Sequence, residues 1–438
     1  MSRVWVNQMF GAIADLGRQY FRRPGGSDPV ETARALLHDL LSEHGEASGT
    51  ALAREAVDLY RSMDTPNRLA VLDILSDEFA ACPEDILRAA EVFNRQRTNA
   101  AYRDLRDAVE SPRQELLRRL NMAPGGTKEI VGMRELMLSD INRRPSYRAL
   151  DFDLSHLLSS WFNRGFLQFE RIDWRTSAAI LEKLIVYEAV HEIDGWEDLH
   201  RRLADDRRCF AFFHPALPDE PLIFVEVALT AGLAGQIRPL LDEPPSAAVD
   251  AGPPDTATFY SISNCQAGLA GISFGNFLIK QVVDDLKIEL PSIVRFSTLS
   301  PIPGFCSWLV GVLADPPDDG LGNDVRALAS NPDWLTDDDA RQQFQPELTR
   351  LCVHYLARET NGAGPRDPVA RFHLGNGASI ERINWAGDTS DKGLVQSAGI
   401  MVNYAYDLNA IVANHEAFVR DGKIALSSSV KSLLAPRR

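Results

Sequence analysis

The 438-residue chain contains no uninterrupted apolar run near the roughly 20 residues that a membrane-crossing helix requires, so nothing in it is predicted to span a bilayer. Positive charge is also in short supply. Lys and Arg number 46 against 61 Asp and Glu, a formal net charge of −15. That balance excludes sequence-independent nucleic-acid binding, which needs a basic surface. The five cysteines (82, 209, 265, 306 and 352) form no Cys-x-x-Cys pair, so neither a zinc site nor a disulfide framework is indicated. This usage suits a reducing cytoplasm. The nine histidines include no His-x-x-x-His and no His-Glu-x-x-His, and no metal site is predicted. No internal repeat of 20–50 residues is present.

What is present suggests two domains. The first third reads as helix after helix. Asp28, Pro29 and Glu31 combine a capping-box pattern with proline in the first turn, and Val30, Ala33, Leu37, Leu40 and Leu41 follow at helical spacing. Similar stripes cover 53–60, 69–79 and 86–93, and Ser111-Pro112 starts another helix that ends before Pro124-Gly125-Gly126. An all-α helical bundle is expected over 1–153, for packing or oligomerisation. The basic first 24 residues share the charge pattern of a transit peptide, but Val6, Met9, Phe10, Ile13, Leu16 and Tyr20 give a helical stripe. A structural N-terminal helix is expected there.

Beyond residue 154 the pattern changes. Trp174–Val190 still reads as helix, whereas 209–213, 222–229, 258–263, 293–299, 369–374, 379–385 and 400–404 read as strands. Asp242–Asp255, Asp315–Asp319 and Asp337–Asp339 are expected to be surface loops. The fold class is therefore α+β: a helical domain followed by a mixed α/β domain over 154–438.

Between the 258–263 strand and an amphipathic helix beginning near Phe277 lies the segment Gln266 to Gly275, reading Gln-Ala-Gly-Leu-Ala-Gly-Ile-Ser-Phe-Gly. Glycines at a strand-to-helix turn allow close backbone approach, and the free N–H groups of a helix start favour phosphate. No Lys-Ser/Thr follows, and the spacing is not that of a dinucleotide fingerprint. The segment is similar to the pyrophosphate loop of acyl-CoA-using acetyltransferases. A plain tight connection has the same composition. In an acidic protein such a ligand requires local positive charge, for which Lys280 and Arg295 are candidates.

Three further positions could carry chemistry. Ser300 follows a strand and precedes Pro301 and Pro303, which fix a rigid bend. Its hydroxyl can donate to an oxyanion, attack if a base is adjacent, or simply bond its own turn. It does not sit in a Gly-x-Ser-x-Gly elbow, so an ordinary serine hydrolase is not indicated. His373 precedes Gly375, Asn376 and Gly377, and is expected at the end of a short apolar strand. Its imidazole can exchange a proton near neutral pH, or serve only as a core residue. Asn403, Tyr404 and Tyr406 lie on the last predicted strand, where core packing is the default for the tyrosines.

The order and wording of six strings carry more than any one residue. These are Phe-Tyr-Ser-Ile-Ser (259–263), Phe-Leu-Ile-Lys (277–280), Leu-Ser-Pro-Ile-Pro-Gly-Phe (299–305), Val-Ala-Arg-Phe-His-Leu-x-Asn-Gly-Ala (369–378), Arg-Ile-Asn-Trp (382–385) and Gly-Ile-Met-Val-Asn-Tyr-x-Tyr (399–406). Together they resemble the malonyl-CoA decarboxylase family, closely over about 175–410. The resemblance implies an acetyltransferase-like (GNAT-like) catalytic domain that converts malonyl-CoA to acetyl-CoA and carbon dioxide without metal or other cofactor. It implies a catalytic serine at Ser300, a catalytic histidine at His373 and a site tyrosine at Tyr406. The acyl-CoA loop falls on Ala270, Gly271, Ile272, Ser273, Phe274, Gly275 and Asn276, with Gln266 and Gly268 preceding it, and Ser261 helps form the site. Asn403 and Tyr406 would fix the carboxylate or carbonyl. Some members carry glutamate in the loop where this chain has Ser273. A homotetramer is implied, with no nucleic-acid or membrane partner. A CoA-dependent acyltransferase and a non-catalytic acyl-CoA sensor are the alternatives. The terminal Ala435-Pro-Arg-Arg438 is not Ser-Lys-Leu, so a cytoplasmic location is expected over a peroxisomal one, with a mitochondrial matrix if the N-terminus is cleaved.

Overall fold

The computed structural model describes residues 28–42, 46–242, 253–272, 277–315, 325, 328, 337–362 and 364–434. Two compact units emerge. The first holds the described chain up to Gln168, together with Phe213–Glu220 and the described part of Gln266–Phe274. The second holds the remainder.

Helices build the first unit, and local chemistry sets their ends. Asp64 accepts from the Asn67 N–H at 3.0 Å and starts Thr65–Asp77, while Thr98 accepts from Ala101 at 3.2 Å and starts Asn99–Val109. Pro112 opens Pro112–Asn121. Leu36, Leu40, Leu72, Leu75, Leu116 and Leu120 are buried members of its core. A buried Arg113–Asp153 ion pair is completed by Ser111 and Gln114, which donate to Asp153 at 2.8 and 2.7 Å. The expected boundary at residue 153 falls inside helix Tyr147–Trp161, because Leu154, Leu157 and Leu158 extend its buried stripe past that point.

The second unit is organised on a seven-stranded mixed sheet of order β1-β2-β3-β4-β5-β9-β8. The strands are β1 (Gln168–Ile172), β2 (Arg207–Phe213), β3 (Ile223–Thr230), β4 (Thr256–Asn264), β5 (Arg295–Thr298), β8 (Ser379–Asn384) and β9 (Met401–Ala405). The short pair β6 (Thr360–Asn361) and β7 (Gly364–Pro365) lies outside it. β4 and β5 pair in parallel, with Phe259 opposite Thr298, and β9 runs antiparallel to both β5 and β8. Apart from the 369–374 segment, the strands expected from the apolar runs are present to within a few residues.

That segment is a helix, Pro368–Gly375, not a strand. Asp367 caps it, accepting from the N–H groups of Val369 and Ala370 at 3.0 and 2.9 Å, and Pro368 fixes the first turn. The acidic run 337–339 likewise enters a helix, Asp338–Gln343, where carboxylates suit the N-terminal dipole. The predicted N-terminal helix lies outside the described residues, as do 243–252 of the loop at 242–255 and 316–319 of the run at 315–319.

Candidate active site

Three elements of the second unit converge on one hydrogen-bonded chain. Ser300 follows β5 and is held by a two-way bridge to Val402: Ser300 N–H donates at 2.9 Å and Val402 N–H returns the bond at 3.0 Å. His373 stands in the last turn of helix Pro368–Gly375. Tyr406 follows β9, its N–H anchored on the Phe296 carbonyl at 2.9 Å. The imidazole Nε2 lies 3.2 Å from Ser300 Oγ, and Nδ1 lies 2.7 Å from Tyr406 Oη. All three residues are buried.

The proton order follows from Thr298. Ser300 donates its hydroxyl proton to Thr298 Oγ1 at 2.8 Å, and the Tyr404 N–H donates to the same oxygen at 3.1 Å. Ser300 Oγ is thus left to accept from His373 Nε2–H. Nδ1 then accepts from the Tyr406 hydroxyl. The imidazole also stacks on the Tyr404 ring, with centroids 4.6 Å apart and planes at 27°. Burial pushes the His373 pKa down to about 3 and the Tyr406 phenol well above its usual value. At neutral pH the resting imidazole is therefore neutral.

Other expected site residues are placed elsewhere. Ser261 on β4 donates to both oxygens of Glu188 at 2.8 Å and meets Ser263 at 3.2 Å. Its hydroxyl belongs to that cluster. Glu188 also accepts from Ser263 at 3.0 Å and from the N–H groups of Val190 and His191 at 2.8 and 2.7 Å. Asn403 does not join the Ser300 chain. Its Oδ1 accepts from Arg382 at 3.0 Å and Asn384 at 2.9 Å, while Nδ2 donates to the carbonyls of Ala234 at 3.0 Å and Thr298 at 2.6 Å. No valence remains for a ligand. Arg295 is ion-paired with Asp255, whose carboxyl is lowered to about 2 by the Thr256 hydroxyl, the Gly232 N–H and Arg295, whereas Lys280 is exposed.

The glycine-rich segment leaves β4 through Gln266 and makes a 3₁₀ turn at Ala267–Leu269. Gly268 is buried, whereas Ala270 and Gly271 are exposed, Gly271 in the left-handed region at φ +77° with open space around it. Ile272 is buried. Ser273, Phe274, Gly275 and Asn276 lie outside the described residues, and helix Phe277–Glu289 follows. Among the described residues, no group of three or more His, Cys, Asp or Glu could hold a metal ion.

Sequence reasoning passed over Thr298 and Glu188 as parts of these networks, and gave Tyr404 core packing as its default. Thr298 stands two residues before Ser300, which is the one local signal that both hydroxyls share a strand face. Glu188 had none that pointed to Ser261 and Ser263, which lie more than 70 positions away.

The family model for the malonyl-CoA decarboxylase C-terminal domain matches residues 165–438, and that for the N-terminal domain matches 79–162. The protein named malonyl-CoA decarboxylase, mitochondrial, from Anser anser anser is 35% identical over 416 residues, covering 87% of this chain and 82% of its own. The crystal structure of malonyl-CoA decarboxylase from Rhodopseudomonas palustris superposes with a TM-score of 0.85 at 48% identity, over 93% of this chain and 100% of that one. The Agrobacterium vitis structure of the same name gives 0.84 at 47% identity, over 92% and 100%.

Proposed function

The chain belongs to the malonyl-CoA decarboxylase family and is a carboxy-lyase; from that premise we propose that it turns malonyl-CoA into acetyl-CoA and carbon dioxide at Ser300, His373 and Tyr406. The bond between the α-carbon and the carboxylate breaks, carbon dioxide leaves, and the electron pair passes into an enolate on the thioester oxygen. A proton then joins the α-carbon. The thioester is itself the electron sink, so the chemistry asks for no metal or organic cofactor. It asks for a hydrogen-bond donor to the oxyanion and a proton for carbon, worth about 3–4 kcal/mol and about 10²–10⁴ in rate respectively.

The observation that carries this reading is the hydrogen-bonded chain joining Tyr406, His373 and Ser300, to which the Ser300–Thr298 bond assigns a direction. His373 Nε2–H delivers the proton to carbon while Tyr406 returns one at Nδ1; the imidazole stays neutral, the negative charge passes briefly to the Tyr406 oxygen, and a solvent proton restores the phenol before the next turnover. Ser300 polarises the malonyl group by turning its hydroxyl proton from Thr298 to the thioester oxygen when substrate binds. The segment Ala270 to Asn276 receives the CoA phosphates, and Gln266 and Gly268 shape its approach. Ser261 acts at a remove, by fixing Glu188 against β4.

We further propose a homo-oligomer, by family a tetramer. Helices Pro83–Gln96 and Asn99–Val109 support it, since the first buries none of its residues and both expose large apolar side chains, Leu87 and Tyr102 among them. No nucleic-acid partner is proposed for so acidic a chain. No described helix is long and apolar enough to cross a membrane. The free thiols support a reducing compartment, the cytoplasm in our reading.

Mass spectrometry of malonyl-CoA incubated with the protein alone tests the activity. Acetyl-CoA should accumulate without any acceptor. Intact malonyl-CoA would indicate a sensor, and free CoA released only with an amine or hydroxyl acceptor would indicate a transferase.

A further inference from the structure

Arg134, on helix Gly126–Asp140 of the first unit, is only 4% exposed. Its Nε donates to Asp151 at 2.8 Å, and its Nη1 donates to the carbonyls of Gly268 at 2.7 Å and Ala270 at 2.8 Å. Those carbonyls belong to the glycine-rich segment, more than 130 positions along the chain. The same helix is so near that a Cβ on Gly268 would meet the Val131 carbonyl oxygen at 2.0 Å. Leu269 and Ile272 bury their side chains, while Ala270 and Gly271 face solvent.

The geometry has a consequence for the backbone. A trans peptide directs its N–H opposite to its C=O. With the Ala270 carbonyl on Arg134, the Gly271 N–H points away from the guanidinium. The positive φ of Gly271 continues that outward turn without a side chain in the way. The guanidinium is itself held by the Asp151 carboxylate, which fixes the fork that the two carbonyls accept from.

We propose that Arg134 is a positioning residue for the acyl-CoA loop: the Leu269, Ala270 and Ile272 N–H groups are bonded within the turn, and by holding the Gly268 and Ala270 carbonyls Arg134 leaves the Gly271 N–H turned outward to receive the CoA pyrophosphate. This rests on the reading of Ala270 to Asn276 as the CoA segment. Gly268 serves the same docking. It is small because the helix is close, not because the ligand is.

The test compares wild type with Arg134→Ala, Arg134→Lys and Gly271→Val. Titration calorimetry with CoA gives Kd, and kcat/KM is measured on malonyl-CoA and on S-malonylpantetheine, which lacks the pyrophosphate. Losing two charge-assisted bonds should raise the CoA Kd of Arg134→Ala about tenfold or more. The loss on malonyl-CoA should exceed that on the short thioester. Arg134→Lys, which keeps the charge but cannot span both carbonyls and Asp151 as a planar fork, should fall between. Should Arg134→Ala not fold, Arg134→Lys carries the same comparison. A folded variant with wild-type Kd, or equal losses on the two thioesters, would overturn the proposal. If Gly271→Val also binds CoA as wild type does, the loop reading itself fails. If Gly271→Val loses CoA while the Arg134 variants do not, only the role of Arg134 fails.

Discussion

The phenol oxygen of Tyr406 lies 2.7 Å from Nδ1 of His373, a bond between two buried groups 33 positions apart. With Nε2 donating to Ser300, Nδ1 is the acceptor and Tyr406 is the proton source. A histidine held neutral in this way can still deliver a proton, provided a second group refills it.

Tyr406→Phe removes that refill while keeping the ring. The expected result is a fall in kcat of about a hundredfold with little change in KM, within the usual range for a general-acid contribution. Steady-state kinetics of malonyl-CoA turnover check it. An unchanged kcat would place Tyr406 in the core only.

The same burial governs pH dependence. His373 falls to about 3 and His191 to about 4, each mainly through loss of solvation. Above about pH 6.5 both are neutral, folded or unfolded. Below it the unfolded chain gains protons that the folded chain refuses, so stability falls as pH falls, by about 1.4 kcal/mol per pH unit for each group, until the folded values are reached. Glu226, pushed up to about 8 by burial, acts in the opposite sense over the same window, so the histidine part is read by difference: the acid destabilisation between pH 7.5 and 5, followed by urea midpoints, should be smaller in His191→Gln than in wild type. Activity should show no acid limb near 6.5 belonging to His373, and such a limb would mean that the imidazolium is the working form.

Asn403 is expected to be structural. Truncating it leaves two carbonyls and two donors without a partner in a buried site, at a cost of about 2–4 kcal/mol. Asn403→Ala should lower Tm by several degrees while the surviving enzyme keeps its KM. A normal Tm with a raised KM would instead put the amide on the substrate.

Much of this was legible in the chain, for identifiable reasons. Runs such as 209–213 and 222–229 are apolar on both faces, as interior strands must be, and they became β2 and β3. The stretch around His373 was misread because its apolar residues outweighed Asp367-Pro368, which is a helix start. The convergence of Ser300, His373 and Tyr406 came through family wording, since no local spacing links residues from three separate elements. Asn403 and Ser261 sit in strings that look catalytic, yet their hydrogen bonds go to distant partners that only folding supplies. Gly268 shows the same limit: sequence reports a missing side chain but not which neighbour requires the space.

Leu87 and Tyr102 are 65% and 56% exposed on their two helices. Leu87→Glu with Tyr102→Glu should convert an oligomer into a smaller species by light scattering after gel filtration, with the fold retained. A monomeric wild type would contradict the assembly.

The central claim is proton delivery to an enolate carbon at His373. Turnover of malonyl-CoA in D₂O, read by mass spectrometry for wild type, Ser300→Ala and His373→Ala, tests it most directly. The account requires singly deuterated acetyl-CoA from wild type and a strong loss of turnover in both variants with CoA binding retained. Full activity in His373→Ala would contradict it.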